Sequence, residues 1–453
     1  MNNHKLNSLG IEIPSILLPK AEYMDKWPVI ACDQFTQDRG YWEKTKNIVA
    51  GSPSSLNLIF PEVFLSDSDA SQRIEDIHLT MERYLKDGVF AEPKQGFIYT
   101  ERDTPYQKKR RGLVAAVDLE KYDWHPEARP LNRCTEGTVP ERLPARMEIR
   151  RGAPLELPHV LLLMDDDTDA LLTQLGERVK KNAPCYSTQL MMDSGSVTGW
   201  FVNEEDDISF IEKKLDELCA KSITRYGDNS EGAEANPFLF AVGDGNHSLA
   251  SAKEIWEEYK AKNKTLPFTG EADYLSHPCR YALVEIENIY DSAIQFEPIH
   301  RVVFDIGFKD TVSLLSRLPD LFFCYVSGAE ELAKAVRSRH YTTKTGANRF
   351  GVISEGRYAL IETSAAGIAT ACLQPLLDSF AGDNPQLIDY IHDEKEIFRL
   401  AGGKEEIAGI LLPPVLKSGL FQTVAHYGPL PRKSFSMGHS SEKRFYLESR
   451  KII

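Results

Sequence analysis

Paired cysteines are missing from this sequence. Its seven cysteines are Cys32, Cys134, Cys185, Cys219, Cys279, Cys324 and Cys372; no two form a CxxC pair and the count is odd. A disulfide framework and a thiolate zinc site are therefore disfavoured, and reduced thiols in a cytoplasmic setting are expected. No stretch approaches roughly eighteen uninterrupted apolar residues, so no membrane span is expected. Met1 to Pro14 has no basic segment leading into an apolar run, so a signal peptide is not expected. Excess positive charge is lacking too: 53 Lys and Arg stand against 67 Asp and Glu, a formal net charge of -14. Non-specific nucleic-acid binding needs a basic footprint, and docking on an anionic membrane needs the same. Neither nucleic acid nor membrane is an expected partner. Also absent are a GxxxxGK[ST] phosphate loop, a GxGxxG fingerprint after a strand, HExxH and GxSxG. The common nucleotide folds and hydrolases are thereby disfavoured.

What is present is ordinary globular material. The chain has 453 residues, 42% of them hydrophobic and 26% charged, enough for two or three domains. Gly96 to Thr100 and Gly112 to Asp118 read as paired strands around a basic loop at Lys108 to Arg111, and His159 to Met164 reads as a buried strand. Thr168 to Asn182 and Asp206 to Tyr226 carry apolar residues at helical spacing, with a strand at Thr198 to Val202 between them. Gly227 to Ala235 reads as a surface loop. From about Asp305 helices and strands alternate, with a hairpin turn at Glu355-Gly356. These patterns predict an α/β (mixed α+β) fold. They divide the chain into a catalytic region over 1–304 and a C-terminal α/β region over 305–453. The basic tail of the latter, from Pro431, is expected to return to the site.

The sharpest signal is a strand, a tight turn and a helix start in succession. Phe238 to Val242 is apolar, Gly243-Asp244-Gly245-Asn246-His247-Ser248 follows, and Leu249, Ala252, Ile255, Trp256 and Tyr259 recur at helical spacing. A helix N-terminus leaves N–H groups unpaired and attracts phosphate, and glycines let a ligand come close. Asp244 is a candidate metal ligand or base; Asn246 and His247 are candidate phosphate donors. The turn also reads simply as a helix cap.

Four further clusters stand out. Arg133-Cys134-Thr135-Glu136-Gly137-Thr138, with Arg142 and Arg146, interleaves arginines with a carboxylate, a pattern that clamps anions or forms surface ion pairs. Glu136 is a candidate general base. His300-Arg301 precedes an apolar run, and Arg432-Lys433 places two cations together near the C-terminus. Asp33-Gln34 follows a short strand from Trp27 to Cys32 and is a candidate substrate-binding pair.

Taken in order, five blocks resemble the family known as domain of unknown function 1015: Trp27 to Asp33, the block at Arg133, Gly243 to Ser248, Pro298 to Arg301, and Pro431 to Ser434. That family's central motif usually reads Asp-Gly-His-His-Arg; here it is Asp244-Gly245-Asn246-His247-Ser248. Any role of the motif arginine falls to Arg133, Arg142, Arg146 or Arg301. The motif is also similar to one in the ParB/sulfiredoxin-like group, which includes nucleotide-dependent kinases of free L-serine. That resemblance implies a ParB/sulfiredoxin-like core and phosphate binding by Gly243, Gly245, Asn246, Ser248, Arg133, Thr135, Arg142, Arg146, His300, Arg301, Arg432 and Lys433. It implies catalysis by Asp244, His247 and Glu136, substrate contacts from Asp33 and Gln34, and Mg2+ with ATP or ADP as cofactors. No residue is expected to form a resident metal site.

The expected activity is phosphoryl transfer from a nucleotide to a small hydroxylated metabolite such as L-serine, in a chain free to form a homo-oligomer. A nucleotide-binding regulator without turnover and a hydrolase of phosphorylated metabolites are the alternatives.

Overall fold

The computed structural model describes residues 4–107, 109–227, 236–263, 276–338 and 348–453. Most of the expected loop at 227–235, and Lys108 of the expected basic loop, lie outside the described residues. The structure is mixed α/β and divides into two compact units. The first comprises Met1–Gln295 and Met437–Ile453; the second is Phe296–Ser436.

The first unit is built on one large sheet. Its strands are β1 (Ile11–Glu12), β2 (Phe97–Asp103), β3 (Arg110–Asp118), β4 (Tyr122–Asp123), β5 (Asn132–Cys134), β6 (Leu161–Met164), β7 (Tyr186–Gln189), β8 (Ser196–Val202), β9 (Phe240–Asp244) and β10 (Tyr281–Asn288). Across the sheet the order is β7-β8-β2-β3-β10-β6-β9-β5-β4, with β1 on β3. The pairs β6/β10, β5/β9 and β4/β5 are parallel. Its helices include α1 (Arg39–Val49), α2 (Ala70–Lys86), α3 (Leu143–Arg150), α4 (Ala170–Val179), α5 (Glu205–Tyr226) and α6 (Asn246–Asn263).

Alternation along the strands sorts the side chains between two faces. Phe97, Tyr99, Leu113 and Ala115 share a core with Leu171 and Leu175 of α4, Ile211 and Leu215 of α5, and Trp256 of α6. Ile98, Val114 and Leu283 turn to the opposite face, against Trp42 of α1 and the chain's last segment through Phe445, Tyr446 and Leu447. A sheet covered on both faces needs strands that are apolar throughout. Leu161-Leu162-Leu163-Met164 is such a strand, and all of it is buried. Arg110 and Arg111, expected in a loop, instead open β3. Arg110 there makes a buried two-pronged pair with Glu287 at 2.7 and 2.6 Å, and the Arg111 guanidinium reaches Asp291 and Asp169. Acidic partners on neighbouring elements extended the ladder past the apolar pattern.

The second unit carries an antiparallel sheet: β11 (His300–Phe304), β12 (Phe322–Tyr325), β13 (Asn348–Ser354), β14 (Arg357–Thr363), β15 (Ile388–Ile391) and β16 (Ile407–Leu411), ordered β12-β14-β13-β16-β11-β15. The β13–β14 hairpin turns through Glu355 at φ 54° and Gly356 at φ 70°, the left-handed pair that a two-residue turn requires. Helices pack on both faces. Leu315 with Leu373 and Leu377 covers one, and Leu332, Val336 and Ile397 cover the other. No helix among the described residues is long and apolar enough to cross a membrane.

Candidate functional site

The turn after β9 is shaped by Gly245. Its φ is +83°, and a Cβ there would lie 3.0 Å from Val160 Cγ2 and 3.1 Å from Val160 Cα. A larger residue would be both strained and crowded, so glycine is what lets α6 begin directly at Asn246. The N–H groups of the first helical turn have no partner within the helix. Asp244 stands at their edge. One carboxylate oxygen accepts the Gly245 N–H at 3.0 Å, and the other lies 3.0 Å from Lys443 Nζ. Burial pushes the Asp244 pKa up, but the Lys443 ammonium outweighs it and His159 adds to it, so the carboxyl is held below its ordinary range.

The Arg133 block lies beside this turn. In the parallel register Arg133 faces Ala241 and Cys134 faces Val242. Glu136 follows Cys134 by the same number of residues as Asp244 follows Val242, so both carboxylates leave the same end of adjacent strands. Two bonds hold the block there: Thr135 Oγ1 donates to Val242 O at 2.6 Å, and Val139 N–H donates to His247 Nε2 at 3.2 Å. The second bond makes Nε2 an acceptor, which puts the proton of a neutral His247 on Nδ1. Asn246 Oδ1 and Thr138 Oγ1 are buried here without hydrogen-bond partners among the described residues.

Arg133 itself does not join the turn through its charge. Its Nε donates to Pro130 O at 3.0 Å, and its guanidinium sits 4.5 Å over the Phe238 ring. Burial, with help from Arg129, brings its pKa down to about 10. Arg142 is exposed, and its carbonyl accepts from Arg146 at 2.7 Å.

A cavity of about 140 Å³ opens beside the helix start. Ser248 and Arg146 both line it, together with Cys32 of the Trp27 to Asp33 block and with Glu62, His159 and Tyr446, which lie outside the five blocks. Ser248 Oγ is 2.7 Å from His159 Nε2, Tyr446 OH is 2.8 Å from His159 Nδ1, and Cys32 N–H donates to Tyr446 OH at 3.2 Å. Arg146 pairs with Glu62. Burial raises the Glu62 pKa; Arg146 opposes this, and the nearby Asp33 carboxylate reinforces it. Asp33 therefore belongs to the same charge cluster, and Gln34 holds it through a 3.0 Å bond to Asp33 Oδ1. The fold thus gathers Asp33, Arg146, Ser248 and the Asp244 turn. Tyr446, His159 and Glu62 escape sequence reasoning because none lies in a block of clustered charge, whereas Lys443 belongs to the basic tail from Pro431 although it was not singled out there. The one available signal was a second basic pair, Lys443-Arg444, in the tail.

The remaining blocks lie in the second unit, where they meet each other. His300 is buried in β11 and its Nδ1 accepts the Leu412 N–H at 3.0 Å. Burial, then Arg301, lowers its pKa to about 4. Arg301, fully buried, donates to Gln374 at 2.8 Å, to Ile299 O at 2.5 Å and to Lys433 O at 3.0 Å. The Pro431 to Ser434 block folds back on itself, Ser434 Oγ donating to Pro431 O at 2.6 Å.

The family described as "Protein of unknown function (DUF1015)" matches residues 15–380. The chain belongs to this family. No curated protein matches it. Among solved structures, the DUF1015 chain is similar to a free serine kinase in complex with AMP, at 14% identity and a TM-score of 0.36, over 77% of this chain and 94% of that one. A mutant of a free serine kinase in complex with ADP gives 12% identity and 0.37, over 77% and 95%. A conserved hypothetical protein from Pyrococcus furiosus gives 13% and 0.33, over 74% and 90%.

Proposed function

We propose that this DUF1015 protein transfers a phosphoryl group from ATP or ADP to the hydroxyl of a small metabolite. The observation that carries the reading is the Asp244–Lys443 pair, 3.0 Å apart at the N-terminus of α6 and next to the cavity lined by Ser248, His159, Glu62 and Arg146. Phosphoryl transfer asks for positioned phosphates, cations around them and a group to take the hydroxyl proton. The helix N-terminus, Lys443 and His247 Nδ1–H supply donors for phosphate.

The two carboxylates have opposed environments, which separates their roles. Asp244, held ionised, is a poor base and suits orientation of the phosphate end. Glu62, raised by burial, is the better proton acceptor. In the step proposed, the acceptor oxygen bonds to phosphorus, its proton passes to Glu62, and the bond from that phosphorus to the nucleotide oxygen breaks. Glu136, on the neighbouring strand end, is the second carboxylate at the phosphate end.

Mg2+ fits the donor set. Asp244 and Asn246 Oδ1, which has no hydrogen-bond partner among the described residues, are hard oxygens at the turn. Among the described residues no group of three or more His, Cys, Asp or Glu is placed to hold a metal alone. Mg2+ is normally held by one or two carboxylates together with substrate phosphates, whose charge it neutralises.

A second reading rests on the Ser248–His159 contact at 2.7 Å, with Tyr446 orienting the imidazole from its other nitrogen. That geometry suits an activated hydroxyl nucleophile and hence a hydrolase of phosphorylated metabolites. One experiment separates the two. Purified protein is mixed with ATP or ADP, Mg2+ and a pool of hydroxylated metabolites including serine, and phosphorus species are followed by NMR. A new phosphomonoester, lost in Asp244→Asn and His247→Ala, is the expected result. Free phosphate alone, lost in Ser248→Ala, selects the hydrolase. Activity that survives Asp244→Asn places the site elsewhere.

A further inference from the structure

The cavity beside the turn is unusual for a site that would serve a substrate as polar as serine. Its polar groups are gathered at Ser248, His159, Glu62 and Arg146. Beyond them the walls are apolar: Leu58, Phe60, Met81, Leu155, Leu249 and Ala252. Two charged residues also line it: Arg150 lies 2.7 Å from Glu156, which also accepts the Leu283 N–H at 2.9 Å and the Arg450 Nε at 2.8 Å, while Arg150 Nε and Nη2 are buried without a hydrogen-bond partner among the described residues. The apolar walls themselves offer no hydrogen-bond partner to a polar group or to water.

We infer that this chamber receives the apolar body of the acceptor, so that the substrate class is hydroxylated metabolites carrying a short alkyl or phenyl group rather than free serine. The inference rests on the phosphoryl-transfer reading for the role of the hydroxyl, but the chamber's preference stands on its own walls. Size sets the limit. A cavity of roughly 150 Å³ lined by Leu, Ile and Phe takes up one benzene, and the whole cavity here, its polar end included, measures about 140 Å³. An apolar group of about six carbons is therefore the upper limit for the part beyond the polar end. Continuity sets the orientation. Ser248, Ser251 and Ala252 follow one another along α6 from the helix start into the chamber. A ligand whose body lies against Ala252 presents its head at Ser248 and Glu62. Serine would leave the chamber empty and forgo the binding energy available there.

The test is calorimetric titration of the full chain, without nucleotide, with 3-hydroxy acids from 3-hydroxybutyrate to 3-hydroxyoctanoate. Affinity is expected to rise about fourfold per added methylene until the chamber is full. Ala252→Phe, which occupies the chamber, is expected to flatten the series. Met81→Ala, which enlarges it, is expected to move the plateau to longer acids. A flat series in the native protein overturns the inference, and so does a rise that both variants leave unchanged. If the series is flat while serine is phosphorylated in the NMR assay, the chamber inference falls alone. If the series rises while no phosphoryl transfer occurs, the function falls and the chamber stands.

Discussion

Asp244 and Lys443 form a partly buried ion pair, Oδ2 to Nζ at 3.0 Å, although they come from the middle and the end of the chain. Removing one partner of such a pair leaves the other charge uncompensated. Lys443→Met is expected to cost on the order of 2 kcal/mol of stability and roughly a hundredfold in phosphoryl transfer. The pH dependence has a definite sign. A carboxyl with a depressed folded pKa adds stability that is complete above the unfolded value near 4 and is lost as pH falls through the lower folded value. The acid limb of the melting temperature against pH is therefore shallower in the variant. An unchanged limb would show that the pair is not formed in solution.

Glu62 titrates the other way. Its raised pKa means that activity depending on its carboxylate climbs with pH through a value above the ordinary glutamate range. Glu62→Gln is expected to lower kcat by about 10²- to 10⁴-fold and to remove that climb. Steady-state rates from pH 4 to 8 check it; a retained climb moves the proton acceptor to another group.

Gly245→Ala is expected to cost about 1–2 kcal/mol from the left-handed backbone, before any push against Val160 is counted. Urea unfolding gives the cost, and nucleotide titration gives the accompanying loss of binding. Tolerance of alanine would mean that the turn does not hold its positive φ.

His300 makes the second unit sensitive to acid. Its folded pKa of about 4 lies below the unfolded value near 6.5. Between those values the unfolded chain takes up a proton that the folded one does not, so stability falls as pH drops from about 6.5 towards 4, by on the order of 3 kcal/mol. His300→Gln keeps an acceptor for the Leu412 N–H and is expected to flatten this slope in chemical denaturation. A slope as steep as the native one would assign the sensitivity to other groups.

Arg301→Met is expected to destabilise by on the order of 3 kcal/mol, because Gln374 and two carbonyls lose a charged donor. Nucleotide affinity, measured on the folded fraction, is expected to stay native. A selective loss of affinity with stability intact would return Arg301 to phosphate binding, as the family resemblance implies.

Local pattern made much of this protein legible. Buried strands such as Leu161 to Met164 are apolar throughout, the helix over 205–226 repeats its apolar residues at helical spacing, and Gly356 supplies one of the two positive φ values that the hairpin demands. The helix start after Gly245 was readable too, because a strand, two glycines and a helical repeat leave few alternatives. The α1 and α2 helices were not read, although their buried residues, Trp42, Thr45 and Val49 in one and Ile77, Met81 and Tyr84 in the other, recur at helical spacing.

The sequence by itself determined the elements and the chemistry available at the Asp244 turn, because turns and periodicity depend on neighbours in the chain. Only the tertiary structure decided which distant groups share that turn. The blocks at His300 and Pro431 bind each other through Arg301 and Lys433 in the second unit. The residues that reach Asp244, Ser248 and Cys32 are Lys443, His159 and Tyr446; the packing of Phe445 and Leu447 on the sheet holds Lys443 and Tyr446 there, and His159 stands just before the strand Leu161–Met164. Which side chains meet across such distances depends on how the sheet is ordered and covered, and no local pattern encodes that.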